Sequence, residues 1–337
     1  MKAVRLAIIG CGGFVRSHVG AICDHVKGFR FVGLVDTVQD HAQRLLDNHP
    51  IGNPPVYRDY KRMLKEVGPD AVIVSTPHTL HFRHCYDALG AGAHVMVEKP
   101  MVTNADDARK LVAQAKAKKR ILQIAIQGTY TDTFAYARKL LTDGTMGELQ
   151  LVTGVLAQGW LAGTRGSWRQ DPKLAGGGQL YDSCAHVLSA MMFLVNSPVK
   201  EVFCWTDNKG VRVDINAVGT VRFANGAMAA ITSGGNCPAW KSHLTLQGDK
   251  ALMEISPHGG DFHVSGAGLK KPITATPKGW KIPSVTPARN FHDAIHRKAK
   301  PRCGGRLGIL LADLMDALYE SARTGKPAKV ARRAPKE

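Results

Sequence analysis

Short β-branched and aliphatic runs alternate with longer amphipathic segments through the first third of the chain. Val4–Ile9, Phe31–Val35, Ala71–Ser75, Val95–Val97 and Ile121–Ile126 have the length and composition of buried strands, and Asp40–Asn48, Leu80–Leu89 and Ala105–Ala117 carry helical spacing. Strand followed by helix, repeated, predicts a doubly wound parallel sheet. Local signals agree with this. Thr103 ahead of Asp106 and Asp107 predicts a helix N-cap with acidic residues in the first turn, and Gly90 and Gly92 predict a helix end.

Beyond about residue 127 the pattern changes. One helical segment, Thr133–Thr142, precedes longer strand-like runs at Leu149–Ala157, Val199–Thr206, Val211–Phe223, Met228–Ser233, His243–Gln247 and Ala251–Ile255. Asn225-Gly226 between two of them is a hairpin signal, and Gly248-Asp249 is a weaker one. These runs predict a mostly antiparallel sheet. A stretch rich in Gly and Pro, Gly259–Pro287, leads to two closing helices at Ala288–Lys298 and Gly305–Thr324. The expected architecture is α/β, with a doubly wound parallel domain over residues 1–126 and a C-terminal α+β domain over 127–337 built on an open sheet. The uncovered face of such a sheet needs a partner, so a homo-oligomer, dimer or tetramer, is expected through it.

At 337 residues and 44% hydrophobic content the chain is long enough for two cores. Its longest strongly apolar stretch, Leu188–Val195, falls far short of the roughly 20 residues that span a bilayer. Lys2 and Arg5 precede apolar residues that run straight into a glycine cluster, without a signal-like core, so a cytoplasmic location is expected. Seven singly scattered cysteines read as reduced thiols. The spacing His78-x-x-His81-x-x-His84 does not bring three imidazoles onto one helical face, so no metal is expected there. The net charge of +18 raises nucleic acid as a partner. Its basic clusters, Lys116–Arg120, Lys270–Lys271, Arg297–Arg302 and Lys329–Lys336, contain no aromatic stacking platform, which argues against that partner.

Gly10-Cys11-Gly12-Gly13-Phe14-Val15 follows the first strand and opens a helix, the context in which a glycine-rich turn receives a pyrophosphate on a helix N-terminus. Gly10 permits the tight turn, and Gly12 and Gly13 permit close backbone approach. Val15 occupies the position of the third glycine, a departure from the fingerprint. Asp36, at the end of the second strand and 24 residues after Gly12, is placed to accept hydrogen bonds from a ribose and to repel a 2′-phosphate. With no arginine beside it, Asp36 predicts NAD in preference to NADP.

Lys99, between Glu98 and Pro100 at the end of the fourth strand-like run, puts an amine where open α/β sheets bind ligands. Further on, Gly176-Gly177-Gly178 leads into a segment in which helical spacing would put Asp182 and His186 on one face, a carboxylate and an imidazole suited to moving a hydroxyl proton. Tyr130, Trp160, Arg165, Trp168 and Arg169 fall on predicted loops and strand ends, as sugar-stacking and hydroxyl-binding side chains would.

Taken in order and spacing, the glycine turn at Gly10–Gly13, Thr76-Pro77-His78 with His81, Glu98-Lys99-Pro100, and the three glycines followed by Asp182 and His186 resemble the glucose–fructose oxidoreductase / inositol dehydrogenase / rhizopine-catabolism (Gfo/Idh/MocA) family over essentially the whole chain. The resemblance implies a Rossmann N-terminal domain, a C-terminal domain whose open sheet makes oligomer contacts, and hydride transfer between nicotinamide and a sugar or cyclitol hydroxyl carbon. It further implies that Thr76, Pro77, His78 and His81 line the cofactor, with Glu98 on the nicotinamide side. Lys99 would contact the reacting hydroxyl, His186 would accept its proton, and Asp182 would bind substrate and orient the pair. The family also contains members in which lysine is the principal base. Two further activities stay open at this point: redox-assisted glycoside cleavage, and a non-catalytic dinucleotide-binding regulator.

Overall fold

The computed structural model describes residues 2–330 and divides into two compact units. The first takes the chain through Ala125 together with Val285–Gly308; the second takes Ile126–Ser284 and the chain from Ile309. The segment Val285–Gly308 therefore returns to the first unit, although in sequence it lies deep in the second.

The first unit is built on strands β1 (Val4–Ile9), β2 (Phe29–Val35), β3 (Val56–Tyr57), β4 (Ala71–Val74), β5 (His94–Glu98) and β6 (Leu122–Ala125). All pair in parallel, in the order β3-β2-β1-β4-β5-β6. Helices α1 (Val15–His25), α2 (Gln39–Asn48), α3 (Tyr60–Val67), α4 (His81–Gly90) and α5 (Ala105–Ala117) connect them. The order reverses between β1 and β4, and in such sheets ligands bind outside the carboxyl ends at the reversal. Asn104, rather than Thr103, caps α5: its side-chain oxygen accepts from the Asp107 amide at 2.8 Å. The strand β3 and the helix α3 escaped the periodicity reading because one is only two residues long and the other is largely polar.

The core of this unit joins the apolar strand residues Leu6, Ile8, Leu34, Ile73 and Met96 to the inner face of α1, Val15, Val19 and Ile22. A helix from much later in the chain completes it. Helices α6 (Asp132–Thr142), α7 (Trp160–Gly163), α8 (Pro172–Ala175) and α9 (Ala185–Val195) lie in the second unit, and α10 (Pro287–Ile295) and α11 (Gly305–Thr324) follow them in the chain. Ala288 and Phe291 of α10 belong to the first core, with the Phe291 ring stacked against Phe29, and the Gln123 side chain donates to the Pro287 carbonyl at 2.7 Å. The helix joins this unit because it carries a large ring that the β1–β2 layer has room to bury.

The second unit contains β7 (Leu149–Ala157), β8 (Val199–Asp207), β9 (Asn216–Phe223), β10 (Met228–Gly234), β11 (Lys241–Gly248), β12 (Leu252–Ile255), β13 (Phe262–Ser265) and β14 (Ala328–Lys329). They form one sheet in the order β13-β12-β11-β7-β10-β9-β8-β14. Every pair is antiparallel except β7 with β10. Helix α9, apolar nearly all round, covers one face, as its burial requires. The other face carries register rows that run across the sheet. Trp205, Val218, Thr232, Val155 and His243 form one row, and Arg222, Met228, Leu151 and Gln247 another. Trp205 is 64% exposed, and Val218, Met228 and Leu151 are also exposed. No helix among the described residues is long and apolar enough to cross a membrane.

Candidate active site

In the first unit the residues singled out from sequence collect at the carboxyl ends of β1, β2, β4 and β5. Gly10 leaves β1 with φ +92°, and a Cβ there would lie 2.5 Å from the Ser75 carbonyl oxygen, so the turn past β4 requires glycine. Gly12 and Gly13 differ: a Cβ on either would meet nothing within 4 Å, leaving an open cradle above the start of α1. That helix begins without a side-chain cap and without an acidic residue in its first turn. Its leading amides and the positive end of its dipole are thus left for an anion. Phe14 is exposed beside the cradle. Val15, where the fingerprint has glycine, is fully buried and fills core volume instead.

Asp36 faces the same turn. Its carboxylate accepts from the Cys11 amide at 2.8 Å and from the Val38 amide at 2.9 Å, and His41 lies 3.3 Å away. The Cys11 thiol is buried, and burial together with the nearby Asp36 charge pushes it up to about 12, so it stays protonated and serves packing.

The β4 and β5 ends are braced by histidines. His81, fully buried, sets Nε2 2.8 Å from the Thr76 carbonyl oxygen and Nδ1 2.7 Å from that of Pro100. Both ring nitrogens thus serve the backbone. In this way His81 holds Thr76 and Pro100 in place. Burial pushes the imidazole down, while two carbonyl partners favour a proton on each nitrogen; burial is the larger effect. His84, 3.0 Å from the Thr76 hydroxyl, is pushed down to about 4 by burial and stays neutral. His78 is buried, edge-on to the His81 ring. Among the described residues no group of three His, Cys, Asp or Glu could hold a metal ion.

Glu98 is buried at the end of β5 and hydrogen-bonds His18 of α1, a partner the sequence did not reveal because His18 reads as one more amphipathic helix position. The other Glu98 oxygen accepts from the Lys99 amide at 3.3 Å. The backbone that carries Lys99 is therefore tied to α1 through Glu98 and to α4 through Pro100, across a cis Lys99–Pro100 bond. The Lys99 side chain is half-buried.

In the second unit the three glycines precede a tightly wound turn, and α9 starts only at Ala185. Asp182 lies in that turn, not on the helix, so it and His186 are not the regular one-face pair that spacing suggested. The turn is irregular because the Asp182 amide donates to Gly178, that of Cys184 reaches back to Gln179, and that of His186 donates to Ser183. Asp182 is buried, and its Oδ2 accepts from Trp160 Nε1 and Arg169 Nε, both at 2.9 Å. Arg169 also lies over the Trp168 ring at 4.6 Å. Trp160, Trp168 and Arg169 thus gather around Asp182. Tyr130 is fully buried, and Arg165 is exposed.

Asp214 anchors the glycine turn and has no sequence motif to announce it. Its two carboxyl oxygens accept from the Gly178 amide at 2.7 Å and the Leu180 amide at 2.9 Å, and the Tyr319 hydroxyl of α11 donates to Oδ1 at 2.6 Å. The Gln179 amide donates to the Asp214 carbonyl at 2.9 Å. A Cβ on Gly178 would stand 1.9 Å from that same carbonyl oxygen, which makes glycine obligatory there. Around His186 stand two more residues unforeseen from sequence, His258, whose ring centroid is 4.7 Å from that of His186, and Trp240, 5.2 Å from His258.

A six-stranded parallel sheet of this order, with an open glycine cradle before an uncapped helix and an acid at the end of β2, defines a dinucleotide-binding Rossmann protein. Comparison with known proteins gives the family. Residues 4–126 match the family described as "Oxidoreductase family, NAD-binding Rossmann fold", and residues 134–254 match the "GFO/IDH/MocA C-terminal domain". The chain belongs to the Gfo/Idh/MocA family of NAD-binding oxidoreductases. Among curated relatives, D-glucoside 3-dehydrogenase of Escherichia coli is 26% identical over 96% of both chains. Inositol 2-dehydrogenase of Salmonella typhimurium is 25% identical over 75% of this chain and 74% of its own. Among solved structures, levoglucosan dehydrogenase in complex with NADH and levoglucosan superposes with a TM-score of 0.85 at 20% identity, covering 98% of this chain and all of the other. Aldose-aldose oxidoreductase from Caulobacter crescentus superposes with a TM-score of 0.83 at 24% identity, covering 97% of this chain and 100% of the other; at such identities the likeness is one of fold.

Proposed function

We propose that the protein is an NAD-dependent dehydrogenase that removes hydride from a hydroxyl-bearing carbon of a sugar or cyclitol. The observation that carries this reading is the position of Lys99 at the carboxyl edge of the same sheet as the open Gly12–Gly13 cradle, on a backbone held from both sides by Glu98 and His81. Gly10, Gly12, Gly13, Phe14 and the start of α1 would hold the pyrophosphate, Asp36 the adenine ribose, and Thr76, Pro77, His78 and Glu98 the remainder. Bound NAD supplies the hydride acceptor. Loss of hydride from a carbinol carbon requires loss of the hydroxyl proton, so a base within about 2.6–3.2 Å must take it. Lys99 holds the hydroxyl and His186 receives its proton. Asp182, fixed by Trp160 and Arg169, binds a neighbouring hydroxyl. The experiment is an NADH-absorbance screen of sugars, cyclitols and sugar acids with NAD and NADP. NADH formation with a member of the panel supports the reading. Product formation without NADH would replace it with redox-assisted glycoside cleavage.

The preference for NAD has its own test. Asp36→Ser removes the carboxylate that would repel a 2′-phosphate, and the ratio of kcat/KM with NADP to that with NAD is expected to rise at least about tenfold. An unchanged ratio would take Asp36 out of cofactor selection.

The exposed sheet face supports a homo-oligomer, since an apolar patch of this kind normally meets a second surface. Trp205→Glu combined with Val218→Glu is expected to shift the species seen by light scattering to the monomer while leaving the far-ultraviolet circular dichroism spectrum intact. A native protein already monomeric at micromolar concentration would end that part of the reading.

A further inference from the structure

Exposed tryptophans are uncommon because the indole has much apolar area to bury. Trp240 is 60% exposed, yet its surroundings are built. The loop that carries it leaves β10 with the Gly235 amide donating to the Ile215 carbonyl at 2.8 Å, and the Gly235 carbonyl accepts from the Leu161 amide of α7 at 2.8 Å. The Cys237 amide donates to the Gln158 carbonyl at 3.2 Å. The same α7 carries Trp160, whose indole nitrogen holds Asp182. The loop bearing Trp240 is thus fastened to the segment that positions a proposed substrate ligand.

His258 stands between Trp240 and His186. The loop Ser256–Asp261 that carries it is closed by the Ser256 amide donating to the Asp261 carbonyl at 3.0 Å, and Pro257 abuts Gly128 so closely that a Cβ on that glycine would lie 1.8 Å from the Pro257 oxygen. His258 Nδ1 lies 3.0 Å from the Ser242 hydroxyl, which fixes the ring. Trp240 meets His258 edge-on, and His258 leans on His186 at 46°. Each step along this row, 4.7 Å and then 5.2 Å between ring centroids, is comparable with the width of a pyranose.

We infer that Trp240, with His258 and Ser242 at its edge, forms an outer subsite for a second sugar ring, so that the preferred substrates are glycosides of two or more units. The inference rests on His186 standing at the reacting hydroxyl, as proposed above. Trp240 packs on His258, which in turn packs on His186, so a ring stacked on Trp240 would be the one attached to the ring that presents its hydroxyl to His186. The indole offers a flat apolar face to sugar C–H groups, and His258 and Ser242 offer polar atoms to its hydroxyls.

The test is calorimetric titration of the full-length NAD-loaded protein with glucose and galactose against cellobiose, lactose and trehalose, for the native protein, Trp240→Ala and Trp240→Phe, with NADH formation followed in parallel. At least one disaccharide is expected to bind about tenfold more tightly than its monosaccharide, Trp240→Ala is expected to erase that advantage, and Trp240→Phe to retain most of it, the scale expected of one aromatic stacking contact. A Trp240-dependent preference without NADH formation would uphold the subsite and overturn the dehydrogenase reading. NADH formation with equal losses on mono- and disaccharides in Trp240→Ala would overturn the subsite alone. Absence of binding by every sugar in the panel would overturn it too.

Discussion

Lys99→Ala is expected to lower kcat by about 10³-fold on the sugar that the native protein oxidises, with NAD affinity within about twofold of native. The loss should fall on kcat because the amine is needed as the hydroxyl becomes an alkoxide, not for binding the ring. The protein should survive the change. Two contacts that fix this stretch, that of the Glu98 carboxylate with His18 and that of the Pro100 carbonyl with His81, stay in place when the Lys99 side chain is shortened. A titration of NAD into the variant therefore serves as a control for the integrity of the first unit. Turnover within tenfold of native would remove Lys99 from the chemistry and leave the hydroxyl proton to His186 alone. His186→Gln would then carry the full loss.

The first unit was the more legible half of the chain, for a physical reason. Parallel strands buried on both faces must be nearly continuous apolar runs, and the helices between them must be amphipathic, so both write their period into the sequence. Gly10, Asp36 and Lys99 were readable because each sits just past a strand end, where the sheet itself places ligand-facing residues. Thr103 against Asn104 shows the limit: adjacent cap-forming residues are equivalent in sequence, and the structure chooses the one whose oxygen reaches the Asp107 amide.

The second unit hid more. The spacing of Asp182 and His186 suits a helix, but the three preceding glycines let the chain wind irregularly until Ala185, so periodicity assigned a face that does not exist. Strand β13 lies inside a stretch rich in Gly and Pro and went unseen, as did β14, which is two residues long. The return of α10 to the first core cannot be read from position along the chain, because burial of Phe291 is decided by a partner more than 250 residues away, Phe29. Trp240 and His258 were invisible for the same reason: each is an isolated loop residue in sequence, and only packing brings His258 to His186 and Trp240 to His258.

Asp214→Ala is expected to be the most damaging change in the second unit, costing about 3–5 kcal/mol of stability, because it strands two buried amides and a partly buried tyrosine hydroxyl at once. Gly178 and Leu180 would lose their acceptors, and Tyr319, whose hydroxyl burial alone still favours in its protonated form, would lose the oxygen it donates to. Asp214→Asn separates positioning from stability. The amide keeps the volume and one acceptor oxygen, so the fold should persist, but one donor among Gly178, Leu180 and Tyr319 loses its partner and the turn that ends in Asp182 is free to shift. The asparagine variant is expected to melt within several degrees of native, bind NAD as native does, and lose kcat by at least about tenfold on the sugar oxidised, since small displacements of catalytic groups are costly. Restoring the tight turn from the other side cannot rescue it, because Gly178→Ala drives a Cβ into the Asp214 carbonyl. Native kcat in a folded Asp214→Asn protein would show that the glycine turn holds Asp182 and His186 without its anchor.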